Sequence, residues 1–378
     1  MKNVLFYYPS NKRSNVLETL LEELRKKGYQ IIVLTTCEKG EFHEAVESFG
    51  IRTYSHDIKK GNSGVYYFKQ IAFLIKFCKQ NNIDLVLSHL QHANIISVFA
   101  QYFTKAKFII FRHQFRFNVF SNDETELANP TEVVFDKVIN RLSKVLIVPS
   151  LGVYNAILKY ERINRSKMRI IPYMYDFKKY NKPDAEKVEE LQKKYESRLL
   201  LLMCSRLVKF KRHYIVLPII KKLIAEGLDI KLMILDEGPE EDSIKKYITD
   251  NWLSEHVFLL GYRNDFINFM AASDILIHPS LSEASNSTVK EMGLLKKPVA
   301  VCSMIGDFDE YIVNGRNGFL LSPNNTEVEL EKLLREIYNN KNVLRSLGEN
   351  LHDTVITKFN RSNEILEKYL SLIEENVS

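Results

Sequence analysis

The sequence predicts an α/β chain of two doubly wound domains, each a parallel sheet covered by helices on both faces. Three observations carry this. Short apolar runs rich in branched residues alternate with amphipathic helical stretches from Lys2 to Val148, and a second alternation of the same kind starts at Arg198. Between them YMYDFKKYNKPD, from Tyr173 to Asp184, carries proline, asparagine and charge without a period, which marks a linker. A length of 378 residues also exceeds what one core of ordinary size holds. The boundary falls after Tyr175, with residues 1–175 in the first domain and 176–359 in the second.

In the first domain Lys2 to Tyr8 reads as a buried strand. Leu17 to Lys27 is an amphipathic helix with Leu17, Leu20, Leu21 and Leu24 on one face, Gly28 is its C-cap, and Gln30 to Thr35 is the next strand. Gly64 to Lys79 reads as a helix carrying several aromatics. Strands follow at Ile83 to Ser88 and Lys107 to Phe111, separated by a helix around Ile95 to Tyr102. His89 and His92 lie just past the first of these strands, and His113 just past the second, within FRHQFRFNVF. Loops at strand carboxyl ends are where α/β proteins hold ligands, and a histidine there donates to a hydroxyl or shuttles a proton; an inert polar loop is the equal alternative. Phe115, Phe117 and Phe120 interleave with Arg112 and Arg116, which suits either a surface for a lipid-linked or aromatic ligand or one face of a buried strand. Asn122 to Glu132 is acidic, aperiodic and holds Pro130, so it reads as a loop. The strand Val145 to Val148, the helix Gly152 to Tyr160 and the strand Arg169 to Pro172 close the domain.

The second domain opens with the strand Leu199 to Cys204 and the basic loop SRLVKFKRH. Then come the helix Tyr214 to Ala225, the strand Lys231 to Leu235, the acidic turn DEGPEED, the helix Ile244 to Asn251 and the strand Val257 to Leu260. Ile275 to Ile277 is a further buried parallel strand, ending at His278 and Pro279. Helices around Val328 to Tyr338, Leu344 to Phe359 and Asn363 to Glu375 end the chain, and no short-period repeat interrupts it.

Charge and cysteine usage narrow the class. The formal net charge of +6 is uneven: residues up to Tyr175 carry 25 Lys and Arg against 15 Asp and Glu, the remainder 28 against 32. Scattered lysines on solvated helix faces explain such a half, as does contact with anionic lipid head groups or an acidic ligand; nucleic acid is not expected as a partner. Cys37, Cys78, Cys204 and Cys302 are far apart among apolar residues, so four buried reduced thiols are expected. No apolar run approaches the ~20 residues of a membrane span, and the N-terminal VLFYYP runs at once into Asn11, Lys12 and Arg13. A cytoplasmic protein, with at most a peripheral contact at the inner membrane face, is expected.

The stretch from His278 to Val299, HPSLSEASNSTVKEMGLLKKPV, places Glu283 and Glu291 on either side of a helix start. Asn286, Ser287 and Thr288 are all N-cap candidates, Val289, Met292 and Leu295 carry the helical spacing, and Lys296 and Lys297 close the helix before Pro298. A helix N-terminus at the carboxyl edge of a parallel sheet favours an anion. Taken alone, Thr288 and Glu291 are an ordinary capping box and Glu283 a solvated acid. With its neighbours the pair, seven residues between, resembles the Glu-x7-Glu signature of retaining, nucleotide-sugar-dependent glycosyltransferases of family 4. PSLSE resembles that family's P-S-x-x-E, KEMGLLKKPV its E-A-M-A-x-G-x-P-V, and GDFDEYIVNGRNGFLL its G-G-x-x-E-x-I-x-x-G-x-x-G-x-L.

The resemblance implies the GT-B architecture, two Rossmann-like domains facing a central cleft, with the last helix, within residues 360–378, crossing back to the first domain. It implies that Glu283 meets the donor sugar's hydroxyls and Glu291 the ribose hydroxyls, while the backbone of Ala284, Ser285, Asn286 and Ser287 meets sugar and phosphate. Arg206 and Lys211, in SRLVKFK, resemble R-L-x-x-x-K-G and imply a clamp for the diphosphate, where cations offset the charge developing on the leaving group. Arg263 falls near where the base stacks. His113 matches the family's histidine on the acceptor side and ranks above His89 and His92; with Glu283, Arg206 and Lys211 it forms the expected catalytic set. Departures are plain: SNKRSN, from Ser10 to Asn15, lacks the usual glycines, Ala284, Ser285 and Asn286 replace G-F-G, Arg212 replaces the glycine after Lys211, and Asp236 replaces the first glycine of G-x-G-P. Asp307, Phe308 and Asp309 spell D-x-D but overlay the family's glycine segment, so no metal or other cofactor is expected. The implied reaction is transfer, with retention, of a hexose from a nucleotide diphosphate sugar to a glycan or lipid-linked acceptor in surface polysaccharide synthesis. A nucleotide-sugar epimerase of the same fold and a non-catalytic sugar-nucleotide binder are the alternatives.

Overall fold

The computed structural model describes residues 2–58, 63–113, 130–161 and 163–377. Phe115, Arg116, Phe117 and Phe120 lie outside these, as does most of the stretch read as an acidic loop. Two compact units are present, one made of the described residues up to Lys179 together with 359–377, the other of Tyr180–Lys358.

The first unit runs β1 (Asn3–Tyr8), α1 (Asn15–Lys26), β2 (Gln30–Thr35), α2 (Glu41–Glu47), β3 (Arg52–Ser55), α3 (Ser63–Gln80), β4 (Leu85–His89), α4 (Leu90–Ala100), β5 (Lys107–Phe111), α5 (Pro130–Leu142), β6 (Val145–Val148), α6 (Leu151–Glu161) and β7 (Met168–Ile170). Its seven strands are all parallel, in the order β3-β2-β1-β4-β5-β6-β7. The order reverses between β1 and β4, the switch point at which doubly wound sheets open a crevice. Central strands are apolar on both faces because helices cover both, and register is fixed by that burial, as in Val4 opposite Ile31 and Leu85. α1 begins where Ser14 accepts from the Leu17 amide, and its leucine stripe lies against β1 and β2 in one core cluster.

The second unit runs α7 (Ala185–Lys194), β8 (Leu199–Cys204), α8 (His213–Ala225), β9 (Ile230–Leu235), α9 (Glu241–Asp250), β10 (Val257–Leu259), α10 (Phe266–Ala272), β11 (Ile275–His278), α11 (Ser287–Leu294), β12 (Val299–Cys302), β13 (Phe319–Leu321), α12 (Thr326–Asn339) and α13 (Val343–Phe359). Its six parallel strands take the order β10-β9-β8-β11-β12-β13, with the switch point between β8 and β11. The last helix, α14 (Asn363–Val377), belongs to the first unit: Ile365, Leu366, Tyr369 and Ile373 join the core cluster of Val4, Phe6 and Leu20.

Several expectations change. The linker holds a 3-10 turn at Phe177–Lys179, and the first unit reaches Lys179 instead of Tyr175. Asp176, inside the stretch read as a linker, is buried and pairs with Arg361 at 2.5 Å, while Asn15 donates to its carbonyl at 3.1 Å. The stretch read as a loop ends in a helix, since Pro130 opens α5, a first-turn position that needs no amide hydrogen. Cys78 and Cys302 are buried, but Cys37 and Cys204 are only partly so, because both sit at carboxyl ends of strands; all four are free.

Candidate active site

β8 and β11 are neighbours, and the loops leaving their carboxyl ends bring together residues 72 positions apart. Glu283, in the loop between β11 and α11, pairs with the Lys211 ammonium. The same carboxylate oxygen lies 2.6 Å from His278 Nε2, and its other oxygen accepts from Asn286 Nδ2 at 3.1 Å. Burial acts to raise the Glu283 pKa, yet the Lys211 charge and His278 overrule it and hold the carboxyl well below the usual range. Lys211 was expected to be a free point charge for phosphate. It is instead half of a largely buried ion pair, and Arg206, exposed and with no side-chain hydrogen bond or ion pair to any described residue, is an unpaired cation of the same loop.

α11 starts from Asn286, whose side chain accepts from the Val289 amide at 3.0 Å. The capping box of Thr288 and Glu291 therefore does not form, because both lie inside the helix. Glu291 is buried more than a turn in, and desolvation pushes its pKa up to about 7, against the lowering by Lys290 and Ser287. Its charge in turn raises the Tyr180 phenol and the Cys204 thiol, which burial has already raised. The two glutamates thus differ in kind: one is held ionised by partners, the other is poised to take up a proton.

The side chains standing where the family has G-F-G do not all crowd the loop's outer face. Ser285 Oγ donates to Asp307 Oδ2 at 2.6 Å and accepts from Lys290 Nζ at 3.0 Å. Lys290, fully buried on α11, also donates to Asp307 Oδ2 at 2.9 Å and to the Asn286 carbonyl at 3.2 Å. Asp307 is therefore an ion-pair partner, and Asp309, the other acid of the D-x-D pattern, accepts from the Met304 amide at 2.5 Å. Gly306 lies at φ +57° against Glu283 and the Ala284 carbonyl, so the two loops are in direct contact.

The other glycine replacements keep glycine's backbone. Arg212 has φ 64° and Asp236 φ 92°. Arg212 is held there by its guanidinium, which donates to Thr326 Oγ1 at 2.8 Å and the Pro323 carbonyl at 3.2 Å. Arg263 is turned to Asp265 at 3.0 Å and lies over the Phe269 ring, its guanidinium 5.1 Å from the centroid.

In the first unit a cavity of about 570 Å³ opens at the β1/β4 switch point, lined in part by Pro9, Thr36, Leu90, Asn94, Phe111 and His113. His113 Nε2 is 2.8 Å from His89 Nδ1, and its Nδ1 is 2.5 Å from the Tyr173 hydroxyl. Burial depresses the His113 pKa to about 4 and holds that of His89 well below the ordinary value, so both rings are neutral near pH 7. Both nitrogens of His113 already have partners, which leaves the ring as a neutral part of the cavity wall instead of a free proton carrier. His92 is held by Tyr66 at 3.0 Å and Thr36 at 3.4 Å. Arg112 also lines the cavity, buried and paired with Asp136 at 3.0 Å and Glu161 at 2.7 Å.

Two family models match the chain, one per unit: Glycosyltransferase Family 4 over residues 14–179 and Glycosyl transferases group 1 over residues 184–353. The chain belongs to the family 4 glycosyltransferases. Among its relatives are N-acetyl-alpha-D-glucosaminyl L-malate synthase of Bacillus anthracis, 22% identical over 96% of this chain and 93% of that one, and the UDP-Gal:alpha-D-GlcNAc-diphosphoundecaprenol alpha-1,3-galactosyltransferase of Escherichia coli, 24% identical over 87% and 85%. An uncharacterised glycosyltransferase of Methanocaldococcus jannaschii is 27% identical over 73% and 70%. The fold matches that of Anabaena HepE, solved with UDP-glucose, at a TM-score of 0.79 with 18% identity over 99% and 100% of the two chains. This glycosyltransferase therefore has the GT-B fold, and its family membership places it in polysaccharide or glycoconjugate synthesis.

Four residues of the candidate site were not singled out by sequence for the contacts they make: His278, Asn286 as a partner of Glu283, Lys290 and Asp307. His278 carried one signal, a polar residue ending a buried strand. Lys290 carried none, since a lysine in a short helix is ordinarily solvated.

Proposed function

We propose that this glycosyltransferase moves a hexose-type sugar from a nucleotide diphosphate sugar to a glycan or lipid-linked acceptor, with retention at the anomeric carbon and without a metal ion. The observation that carries the reading is the Glu283 carboxylate, fixed by Lys211, His278 and Asn286 in front of the α11 N-terminus, at the switch point of the second sheet. An ionised carboxylate so held accepts strongly from sugar hydroxyls. Arg206 takes the diphosphate as the unpaired cation, with Lys211 shared between Glu283 and the phosphate, so that negative charge developing on the leaving diphosphate meets fixed positive charge. Glu291 meets the ribose, the backbone of Ala284 to Ser287 meets the sugar, and Arg263 with Phe269 lies toward the base. His113 closes the acceptor cavity as a neutral hydrogen-bonding wall. No separate side chain takes the part of a dedicated nucleophile in this reading, which suits reaction on the retained face.

The relatives support the donor class and the acceptor class by what their names state: HepE was solved with UDP-glucose, and the Escherichia coli galactosyltransferase takes a diphosphoundecaprenol-linked sugar. The test is a panel of nucleotide diphosphate sugars offered with and without acceptors, read by mass spectrometry and by NMR of the product anomer. Transfer or slow donor hydrolysis with retained configuration is expected. An isomerised donor would make the chain an epimerase, binding without turnover a binder, and an inverted product would overturn the mechanism.

A further inference from the structure

A second cavity, of about 330 Å³, lies within the second unit, between the first turns of α8 and α9. Its walls are largely apolar: Tyr214 and Leu217 come from α8, Ile244 and Tyr247 from α9. Lys209 and Glu240 also line it, one charge of each sign, so the wall favours neither an anion nor a cation. His213, the first residue of α8, belongs to the same lining. It is 3% exposed, and neither of its ring nitrogens has a hydrogen-bond partner among the described residues. Burial first, then His278 and Lys211, depress its pKa to about 4, so the ring is neutral near pH 7. A neutral imidazole carries one donor and one acceptor, and burying both without partners costs free energy that an apolar ring of the same size would not.

The cavity is separate from the donor site, since none of Arg206, Lys211, Glu283 and Glu291 lines it, yet it shares a turn with that site. Val208, in the wall, accepts from the Lys211 amide at 3.0 Å through its carbonyl, and Lys209 accepts from the Arg212 amide at 2.9 Å. Lys211 then pairs with Glu283. A ligand seated against Val208, Lys209 and His213 therefore bears on the backbone that aims Lys211. The volume is near the lower end of the ~300–1,000 Å³ of small-molecule pockets and suits a small ring system. Apolar and phenolic walls favour an aromatic body, and balanced charge favours a neutral one. A hydroxyl, which both donates and accepts, satisfies His213 in either tautomer. We propose that this cavity is an effector site for an uncharged aromatic ligand bearing a hydroxyl, hydrogen-bonded to His213, and that its occupancy steadies the Lys209–Lys211 turn and tightens nucleotide diphosphate binding. The binding half stands on the cavity alone; the tightening rests on the phosphate clamp proposed above.

The experiment titrates the full chain with p-cresol and with toluene, the same ring and methyl group without the hydroxyl. Calorimetry should show p-cresol binding about tenfold tighter, the upper end of one net hydrogen bond. The His213 ring nitrogen resonances, assigned by their loss in His213→Phe, should move with p-cresol and stay in place with toluene. His213→Phe keeps a ring and removes both nitrogens, so it should bind the two probes equally and melt no lower than wild type. Ser243→Trp, at an exposed position of α9 that lines the cavity, should exclude both probes and leave His213 in place. His278 shares Glu283 with Lys211, so its resonances should move as well. UDP should then bind on the order of fivefold tighter in saturating p-cresol. No p-cresol binding, equal affinity of wild-type protein for the two probes, or p-cresol binding retained in Ser243→Trp would overturn the site. Unmoved His278 resonances, or UDP affinity unchanged or weakened by p-cresol, would overturn its effector role. If UDP does not bind wild-type protein at all, the clamp reading fails, while the His213 and His278 signals still decide the site.

Discussion

Glu283 and Glu291 have the same side chain and opposite electrostatics, and the difference comes from what the fold places within reach of each. Glu283 has a lysine, a histidine and an amide around it, so its burial is compensated; Glu291 is buried with weaker compensation and its pKa rises from 4.5 to about 7. The folded chain thus holds a proton at Glu291 that the unfolded chain has released across that window. Stability is expected to fall as pH rises from about 4.5 to about 7 and to level off above, and Glu291→Gln should remove that slope, raising stability at alkaline pH on the order of 1–3 kcal/mol while adding nothing near pH 4. Urea melts of both chains across the range check it, and parallel curves would mean that Glu291 is ionised throughout. The cations divide in the same way. Arg206→Ala removes an exposed, unpaired group and should weaken nucleotide diphosphate binding by about 1–3 kcal/mol without changing stability. Lys211→Met leaves Glu283 buried without its main partner and should cost about 3–5 kcal/mol of stability, most of it regained when Glu283→Gln is added. Calorimetric titration and denaturant melts of the three chains separate the two cases; a Lys211→Met chain as stable as wild type would show that the pair is not desolvated.

The loop from Glu283 to Asn286 and the helix it feeds show what can and cannot be read ahead of a structure. The strand before it, the helix after it and the glutamate spacing were legible, because an apolar run, an asparagine cap and a seven-residue interval are local features. The lock holding the loop was not, since Lys290 reaches Asp307 across 17 positions and Lys211 reaches Glu283 across 72. The departures at Ser285, Arg212 and Asp236 read as obstacles; in the structure Ser285, at the phenylalanine position of G-F-G, points to the Lys290–Asp307 pair, and Arg212 and Asp236 adopt the left-handed backbone that glycine would have supplied. Lys290→Met should therefore destabilise by about 3–5 kcal/mol by stranding Asp307, and Lys290→Met with Asp307→Leu should recover most of that loss, an apolar pair replacing a buried ionic one. If the pair also positions the loop, the double variant keeps a raised donor KM at near-wild-type stability. Recovery of both quantities together would reduce the pair to a packing role.

Both sheets repeat one plan, with order reversing at the first and fourth strands of each unit and a candidate site at that reversal, and this plan was legible because central strands buried on both faces are near-continuous apolar runs. β3, RTYS with three exposed positions, and β13, three residues long, gave no such run and were missed, and so was β12, a central buried strand of only four residues directly after the helix-closing Lys297 and Pro298. The return of α14 to the first unit was implied by resemblance, and the structure supplies its cause. Ile365, Leu366, Tyr369, Leu370, Leu372 and Ile373 are buried against β1, α1 and their neighbours, and Arg361 just before them meets Glu22 at 3.2 Å as well as Asp176 and Glu23. Burial acts to raise the Glu22 pKa, but hydrogen bonds from Lys26 and Lys179 hold it down at about 2, so this anchor is fully formed above pH 4.5 and is lost as pH falls through that interval. Six apolar side chains at roughly 1.5–3 kcal/mol each approach or exceed the ~5–15 kcal/mol by which a domain is stable. A chain ending at Phe359 should therefore lose the folded first unit and keep the second, whose core cluster contains none of the removed residues. Differential scanning calorimetry should show the first-unit transition missing, and limited proteolysis should yield a resistant fragment within Tyr180–Lys358. Arg361→Ala, which removes the ion pairs and leaves the apolar face intact, should lower the first-unit transition without abolishing it. A truncated chain that melts like the full one would mean that the sheet of the first unit is stable without its final helix.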